Sequence, residues 1–177
     1  LATRPRIRIN NAAMVHGRIS FREIPIYSEA SRGFEFLLTP ELNVRPTTSF
    51  LVNFSYTYSR LRRQHDDTRF STTNIPSLRL QYQFSKALYL RAITQYYLID
   101  QDVLRDSASG NPLVINGTTS EALKEGTFEG QFLFAYEPSP GTIFYIGYSL
   151  VRQGSYTYDI SSMQPMADGL FIKLSYL

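Results

Sequence analysis

The stretch from Phe50 to Tyr58 alternates large apolar side chains with small polar ones. In an extended strand successive side chains point to opposite faces, so this period of two gives a strand with one aromatic face and one polar face. The apolar phase consists of Phe50, Val52, Phe54, Tyr56 and Tyr58. This alternation does not match the 3.6-residue period of a helix, and it predicts a strand in a sheet whose two faces differ.

The same alternation returns in about nine segments, and charged residues keep mostly to one phase. The segments are residues 4–9, 15–22, 34–45, 50–58, 78–85, 88–96, 127–136, 144–150 and 170–176. The charged residues that fall in the polar phase include Arg18, Arg22, Glu35, Glu41, Arg45, Arg79, Arg91, Glu129 and Lys173. The opposite, apolar phase includes Phe50, Val52, Phe54, Tyr56, Leu80, Tyr82, Phe132, Phe134, Phe144, Ile146, Leu170, Ile172 and Leu174.

Composition narrows the function classes. Thirteen Tyr and twelve Phe favour strands, and the sequence contains no apolar run near the roughly 20 residues of a membrane helix. The absence of Cys excludes disulfides, thiolate metal sites and cysteine nucleophiles. A net charge of +3 without a dense basic run does not favour nucleic acid as a partner.

Connections between the segments alternate in length. Short turns are expected at residues 46–48, 85–87 and 138–141, and long links at 24–33, 61–77, 100–125 and 153–167. Outer-membrane barrels place short turns in the periplasm and long loops outside. A Lys or Arg on the lipid side near the bilayer midplane also costs about 2–4 kcal/mol, which makes the polar phase the lumen.

These patterns predict an all-β fold, an antiparallel transmembrane β-barrel. Residues 1–177 would form one domain, the C-terminal segment of a larger barrel with an even number of strands. We expect the bacterial outer membrane as the location, with the C-terminus on the periplasmic side. Outer-membrane lipid and other outer-membrane or surface proteins are the expected partners. The alternative is a soluble antiparallel sandwich or a lipocalin-like barrel, which would bury the aromatic face inside.

Four stretches carry a resemblance to a known family: FLVNFSYTYSRL from Phe50, LRLQYQFSKALYLRA from Leu78, FLFAYEPSPGTIFYIG from Phe132 and GLFIKLSYL from Gly169. From about Gly33 onward, the chain resembles the C-terminal barrel of an uncharacterised family of large bacterial outer-membrane proteins. Members carry a carbohydrate-binding-like β-sandwich before the barrel and are sometimes labelled membrane-associated hydrolases. The resemblance implies a link to glycans, but it places no catalytic, cofactor or metal residue in this sequence.

The direct function predicted here is a membrane anchor, or a pore or platform for a larger surface assembly. Two alternatives are the anchor of a hydrolase whose catalytic domain lies elsewhere, and the C-terminal barrel of a TonB-dependent receptor. The net-positive lumen could attract anions in a wide barrel, or its charges could pair into Arg–Glu ladders in a narrow one. The run His65-Asp66-Asp67 is expected to be a water-exposed, mixed-charge loop, and Asp100, Asp102 and Asp106 lack the spacing of a calcium loop.

Overall fold

Antiparallel pairing between consecutive segments organises the chain. The structure is a computed structural model, and it describes residues 2–8, 12–139 and 141–176. Its strands are β1 (Ala2–Thr3), β2 (Arg6–Arg8), β3 (Ala13–Ile26), β4 (Ser31–Thr47), β5 (Phe50–Arg63), β6 (Arg69–Gln83), β7 (Leu88–Gln101), β8 (Val114–Ile115), β9 (Thr118–Thr119), β10 (Leu123–Ser139), β11 (Thr142–Ser155) and β12 (Gln164–Ser175). Two single 3₁₀ turns, Tyr27–Glu29 and Ile160–Ser162, lie in connections.

One large sheet contains all of these strands except the small β8–β9 hairpin. Its order is β1-β3-β4-β5-β6-β7-β10-β11-β12, and β2 also pairs with β3 beside β1. Because β1 and β2 share one edge of β3, the sheet is nine positions wide within the described residues. The prediction of an all-β, antiparallel fold is confirmed.

The sheet is open in the part of the chain that the structure describes. Strand β12 pairs with β11 on one side, and β1 and β2 pair with β3 at the opposite edge. No pairing joins these two edges among residues 2–8, 12–139 and 141–176. The closed transmembrane barrel therefore stays a prediction.

Turns at the two ends of the sheet differ in length, though less than the sequence suggested. At one end, two to four residues join β4 to β5, β6 to β7 and β10 to β11; the other end, called here the loop end, has connections at residues 27–30, 64–68, 102–122 and 156–163. The predicted long links at 24–33 and 61–77 were therefore wrong in length. The segment 69–77 is rich in Ser, Thr and Asn and looks like a loop, yet its backbone pairs with β5 and β7.

Some residues of the predicted features lie outside the described residues: Ile9 of the segment 4–9, Pro140 of the 138–141 turn, and Leu1 and Leu177 of the predicted domain. Most of the well-buried apolar side chains lie in the half of the sheet near the loop end. One cluster contains Ile26, Leu61 and Phe70. The described residues form no helix long and apolar enough to cross a membrane.

Candidate functional site

Strand register sorts the side chains onto two faces. Arg22 pairs with Glu35, Asn53 with Arg79, and Tyr145 with Lys173, so the residues of the predicted polar phase share one face. We call it the polar face. The same pairing places eight of the nine predicted lumen charges on that face: Arg18, Arg22, Glu35, Glu41, Arg79, Arg91, Glu129 and Lys173. The ninth, Arg45, lies between Val44 and Thr47, where the register of β4 against β5 shifts.

The opposite surface is the aromatic face. Val52 pairs with Leu80, Phe134 with Ile146, and Ile146 with Ile172. All thirteen residues predicted to face lipid lie on it: Phe50, Val52, Phe54, Tyr56, Leu80, Tyr82, Phe132, Phe134, Phe144, Ile146, Leu170, Ile172 and Leu174. Its rings touch across strands, with Phe21 and Phe36 centroids 5.0 Å apart and Phe50 and Tyr82 centroids 6.1 Å apart.

Large apolar side chains on the aromatic face are open to their surroundings. The exposed fractions on β12 are 70% for Leu170, 64% for Ile172 and 72% for Leu174. Phe132 and Phe54 are exposed by more than two fifths. A contiguous apolar surface of this kind marks a contact with lipid or with another protein, because water alone would not favour it.

Hydrogen bonds connect side chains of the polar face across β3, β4 and β5. Arg22 forms an ion pair with Glu35, whose other carboxylate oxygen accepts a 2.9 Å hydrogen bond from the Ser59 hydroxyl. The Asn53 amide donates to Glu41 at 2.6 Å, and His16 Nε2 lies 2.8 Å from the same carboxylate. Charged and polar side chains of the polar face are thus connected across β3, β4 and β5 at this edge of the sheet.

Elsewhere the polar-face charges are more separated. Among the described residues, six of the predicted charges take part in no ion pair: Arg18, Arg45, Arg79, Arg91, Glu129 and Lys173. Five of these six are basic, and only Glu129 is acidic. The unpaired part of this face is therefore net positive.

A buried ion pair holds the loop end together. The side chains of Glu29 and Arg63 are both 0% exposed, with Nη2 of Arg63 2.6 Å from one carboxylate oxygen and Nε 2.8 Å from the other. Arg63 also donates to the carbonyl oxygens of Arg69 and Val103, at 2.9 and 2.8 Å. One side chain thus ties the 27–30, 64–68 and 102–122 connections to one another.

The backbone of the longest connection completes this arrangement. The Arg105 N–H donates to Glu29 at 2.8 Å, and the Arg63 guanidinium carbon lies 5.3 Å from the centre of the Phe70 ring. Leu104 packs on the cluster of Ile26, Leu61 and Phe70. The connection from 102 to 122 therefore reaches back from β7 to the ends of β3 and β5.

The 156–163 connection covers part of the aromatic face near the loop end. Asn74, which is buried, donates to the Tyr156 hydroxyl at 2.7 Å and accepts from the Tyr56 hydroxyl at 2.6 Å. The Tyr96 hydroxyl donates to the Tyr158 carbonyl at 2.9 Å. Tyrosines thus provide the polar partners that an amide needs on an apolar surface.

The two acidic loop motifs act as turn-forming groups. Asp66 accepts from the N–H and hydroxyl of Thr68, and Asp67 binds Arg62 at 2.8 Å. These hydrogen bonds lower the pKa of Asp66 although desolvation by burial, the largest single effect, works in the opposite direction. Exposed as they are, these side chains match the expected mixed-charge loop.

Asp100, at the end of β7, and Asp102 and Asp106, in the longest connection, also bind other groups of the same chain. Asp100 binds Arg69, Asp102 lies 3.5 Å from Arg105, and Asp106 accepts from Ser109. No group of three or more His, Asp or Glu in the described residues is arranged to hold a metal ion.

Sequence reasoning did not single out Glu29, Arg63, Asn74 or Tyr156. Each one acts through a partner that is far away along the chain, with separations of 34 residues for Glu29–Arg63 and 82 for Asn74–Tyr156. A pairing pattern of period two carries no information about such contacts.

No family model, no curated protein and no solved structure matches this chain.

Proposed function

We propose that this chain forms part of the wall of an outer-membrane β-barrel, with the aromatic face toward lipid and the polar face toward the interior. The observation that carries the proposal is the register: it keeps thirteen predicted apolar side chains on one face and eight predicted charged ones on the other across the sheet. A lipid-facing wall needs this separation on every strand, because each lipid-side charge is costly.

Strand length supports the same function. A tilted strand needs about 9–11 residues to cross the hydrocarbon layer. β5, β7 and β11 have 14 residues each, and β6 has 15. These strands are long enough to cross the layer and to continue into the loop end.

Turn lengths support one orientation of the sheet in the membrane. The two- to four-residue turns after β4, β6 and β10 fit the periplasmic side, and the loop end with its 102–122 connection fits the outside. In the proposed orientation the end of β12 is on the periplasmic side. Because unpaired peptide groups are costly in lipid, the two open edges of the sheet require further strands, from the same protein or from a neighbour.

The direct role of this segment is to anchor and enclose, as the membrane platform of a larger surface assembly. The 102–122 connection folds over the loop end and contacts Glu29 and Arg63, so it would narrow the opening of the barrel on that side. The unpaired arginines of the polar face would favour anionic solutes in any remaining passage. A link of that assembly to glycans is suggested by the family resemblance of the strand sequences.

Adjacent positions on β5 test the assignment of the faces. These 177 residues contain no Cys, so Phe54→Cys and Ser55→Cys each add one thiol to a segment that has none. In vesicles we expect a lipid-soluble quencher to reach a fluorophore attached at 54, and a membrane-impermeant thiol reagent to favour 55. Preferential labelling of 54 by the impermeant reagent would show that the faces are reversed.

Arginine at the same two positions tests the environment energetically. Phe54→Arg should destabilise the membrane-inserted protein by about 2–4 kcal/mol relative to Ser55→Arg, since only the first places a charge in lipid. Arg at 55 would lie beside Glu41, its cross-strand neighbour. If Phe54 faced water, a surface substitution would change stability by only about 0.5 kcal/mol. Denaturant titration of protein folded in vesicles, read by gel mobility, separates these results.

A further inference from the structure

Basic residues form a row along the aromatic face near the loop end, one or two on most strands from β4 to β11. This basic row consists of Arg32, Arg60, Arg62, Arg69, Lys124 and Arg152. Four acids lie among them and form ion pairs with them: Glu23, Asp67, Asp100 and Asp168. Six basic and four acidic groups leave this row with two excess positive charges.

Arg60 differs from the other arginines of the basic row. Arg32 lies 3.1 Å from Glu23, Arg62 2.8 Å from Asp67, and Arg152 3.0 Å from Asp168. Within residues 2–8, 12–139 and 141–176, Arg60 forms no ion pair, and its Nε is buried without a hydrogen-bond partner. Because no acid of the described residues pairs with it, the Arg60 guanidinium is suited to bind an anion that comes from outside the chain.

An apolar groove adjoins Arg60. Register places Phe36 beside Arg60 and Phe34 beside Arg62, and Phe21 stacks on Phe36 from β3. Together these five side chains line most of a groove of about 580 Å³ on the aromatic face. Both phenylalanines at its mouth, Phe21 and Phe34, are half exposed.

The acids around this groove are already neutralised. Glu35 is bound to Arg22, Glu23 to Arg32, and Asp67 to Arg62. Arg60 therefore supplies the charge that remains, directly above an aromatic surface. A ligand that matches both features carries an anionic head group and a hydrocarbon tail.

We propose that Arg60 binds the phosphate of an acylated membrane lipid whose chains lie on Phe21, Phe34 and Phe36. This inference rests on the proposed membrane function. Ten residues separate Phe50 from Arg60, about 33 Å along a strand and about 25 Å along the membrane normal at a 40° tilt. That equals the height of the apolar band of such barrels, about 25 Å, so Arg60 lies at the level of outer-leaflet head groups.

The test compares two lipids that differ only in the phosphate. Full-length protein is folded in neutral vesicles, and binding of phosphatidic acid is measured against diacylglycerol with the same acyl chains, by native mass spectrometry and by fluorescence competition. We expect Arg60→Gln to weaken phosphatidic acid binding about tenfold, since hydrogen bonds to charged groups are the stronger ones, and to leave diacylglycerol binding unchanged.

Arg79→Gln on the polar face is the matched control, because it removes the same charge without touching the groove. Arg60→Lys should retain part of the affinity as a point charge. Equal loss in Arg60→Gln and Arg79→Gln, or equal binding of the two lipids, would overturn the lipid site. Displacement of the lipid by inorganic phosphate at similar concentration would overturn it too, in favour of a soluble anion.

Membrane insertion is checked first, by the protection of a thiol at position 54. Failure at that stage contradicts the proposed function as a whole. Insertion with no preference for the phosphorylated lipid contradicts only the inference about Arg60.

Discussion

Removing one partner of the buried Glu29–Arg63 pair should destabilise the loop end strongly. In Arg63→Leu the Glu29 carboxylate keeps only the Arg105 N–H as a hydrogen-bond donor among the contacts described, at 2.8 Å. Two charge-assisted bonds of 2.6 and 2.8 Å are lost, along with the bonds of Arg63 to two carbonyls. Breaking a fully buried ion pair costs about 3–5 kcal/mol, chiefly because the remaining charge is uncompensated.

A double-mutant cycle isolates that cause. In Glu29→Leu combined with Arg63→Leu, no buried charge is left, so we expect much of the lost stability to return. The assay is denaturant unfolding of the full-length protein, together with the rate at which a protease cuts the 102–122 connection. A loss below about 1 kcal/mol for Arg63→Leu, the range of exposed pairs, would refute the reasoning. A loss of unfolding free energy in the double variant that exceeds the sum of the two single losses would refute it as well.

Two predictions concern the 156–163 connection. Tyr156→Phe should cost about 1–3 kcal/mol because it leaves the buried Asn74 amide without its acceptor, whereas Tyr158→Phe should have little effect, since Tyr158 contributes its backbone carbonyl; denaturant unfolding compares the two. The pKa of Asp159 is lowered because the Ser161 hydroxyl and N–H donate hydrogen bonds to its carboxylate. The ionised carboxylate therefore stabilises the folded connection above the unfolded-state pKa of about 3.9, and this stabilisation is lost as pH falls through the lower folded-state pKa. Proteolysis of residues 156–163 should therefore accelerate in acid for the native chain and stay nearly independent of pH in Asp159→Asn.

Strand identity and facing could be predicted because they depend on local alternation. Leu170, Ile172 and Leu174 occupy one phase of a short segment, and any antiparallel partner in register places them together. Their pairing with Tyr148, Ile146 and Phe144 follows from the order of the strands, because β11 and β12 are consecutive in the chain and adjacent in the sheet. Nine segments and nine sheet positions agree for this reason.

Strand ends were harder to predict. The segment from Arg69 to Ser77 contains Thr72, Thr73 and Pro76, a composition that is typical of loops. Backbone pairing to two neighbours overrides this preference, and the strand continues. β-Propensity depends on context in this way, because what it measures is the fit to neighbouring strands.

The loop-end contacts could not be predicted from alternation. In the sequence, Glu29 lies in the long link expected at 24–33 and Arg63 in the one expected at 61–77. Their mutual burial depends on the 102–122 connection, which folds back over the strand ends. A single sequence contains no periodic signal for that fold.

The order of the large sheet has a consequence for how such a wall can change in size. Each strand from β3 to β12 pairs with the strand that follows it in the sheet path, apart from the short β8–β9 hairpin inside one connection. A hairpin can therefore be added or removed without rerouting the rest of the chain. Each such step alters the width of the sheet, and the circumference of any barrel built from it, by two strands of about 4.8 Å spacing. Barrel diameter grows roughly linearly with strand number, so duplication of a single hairpin would widen the enclosed space by a fixed increment.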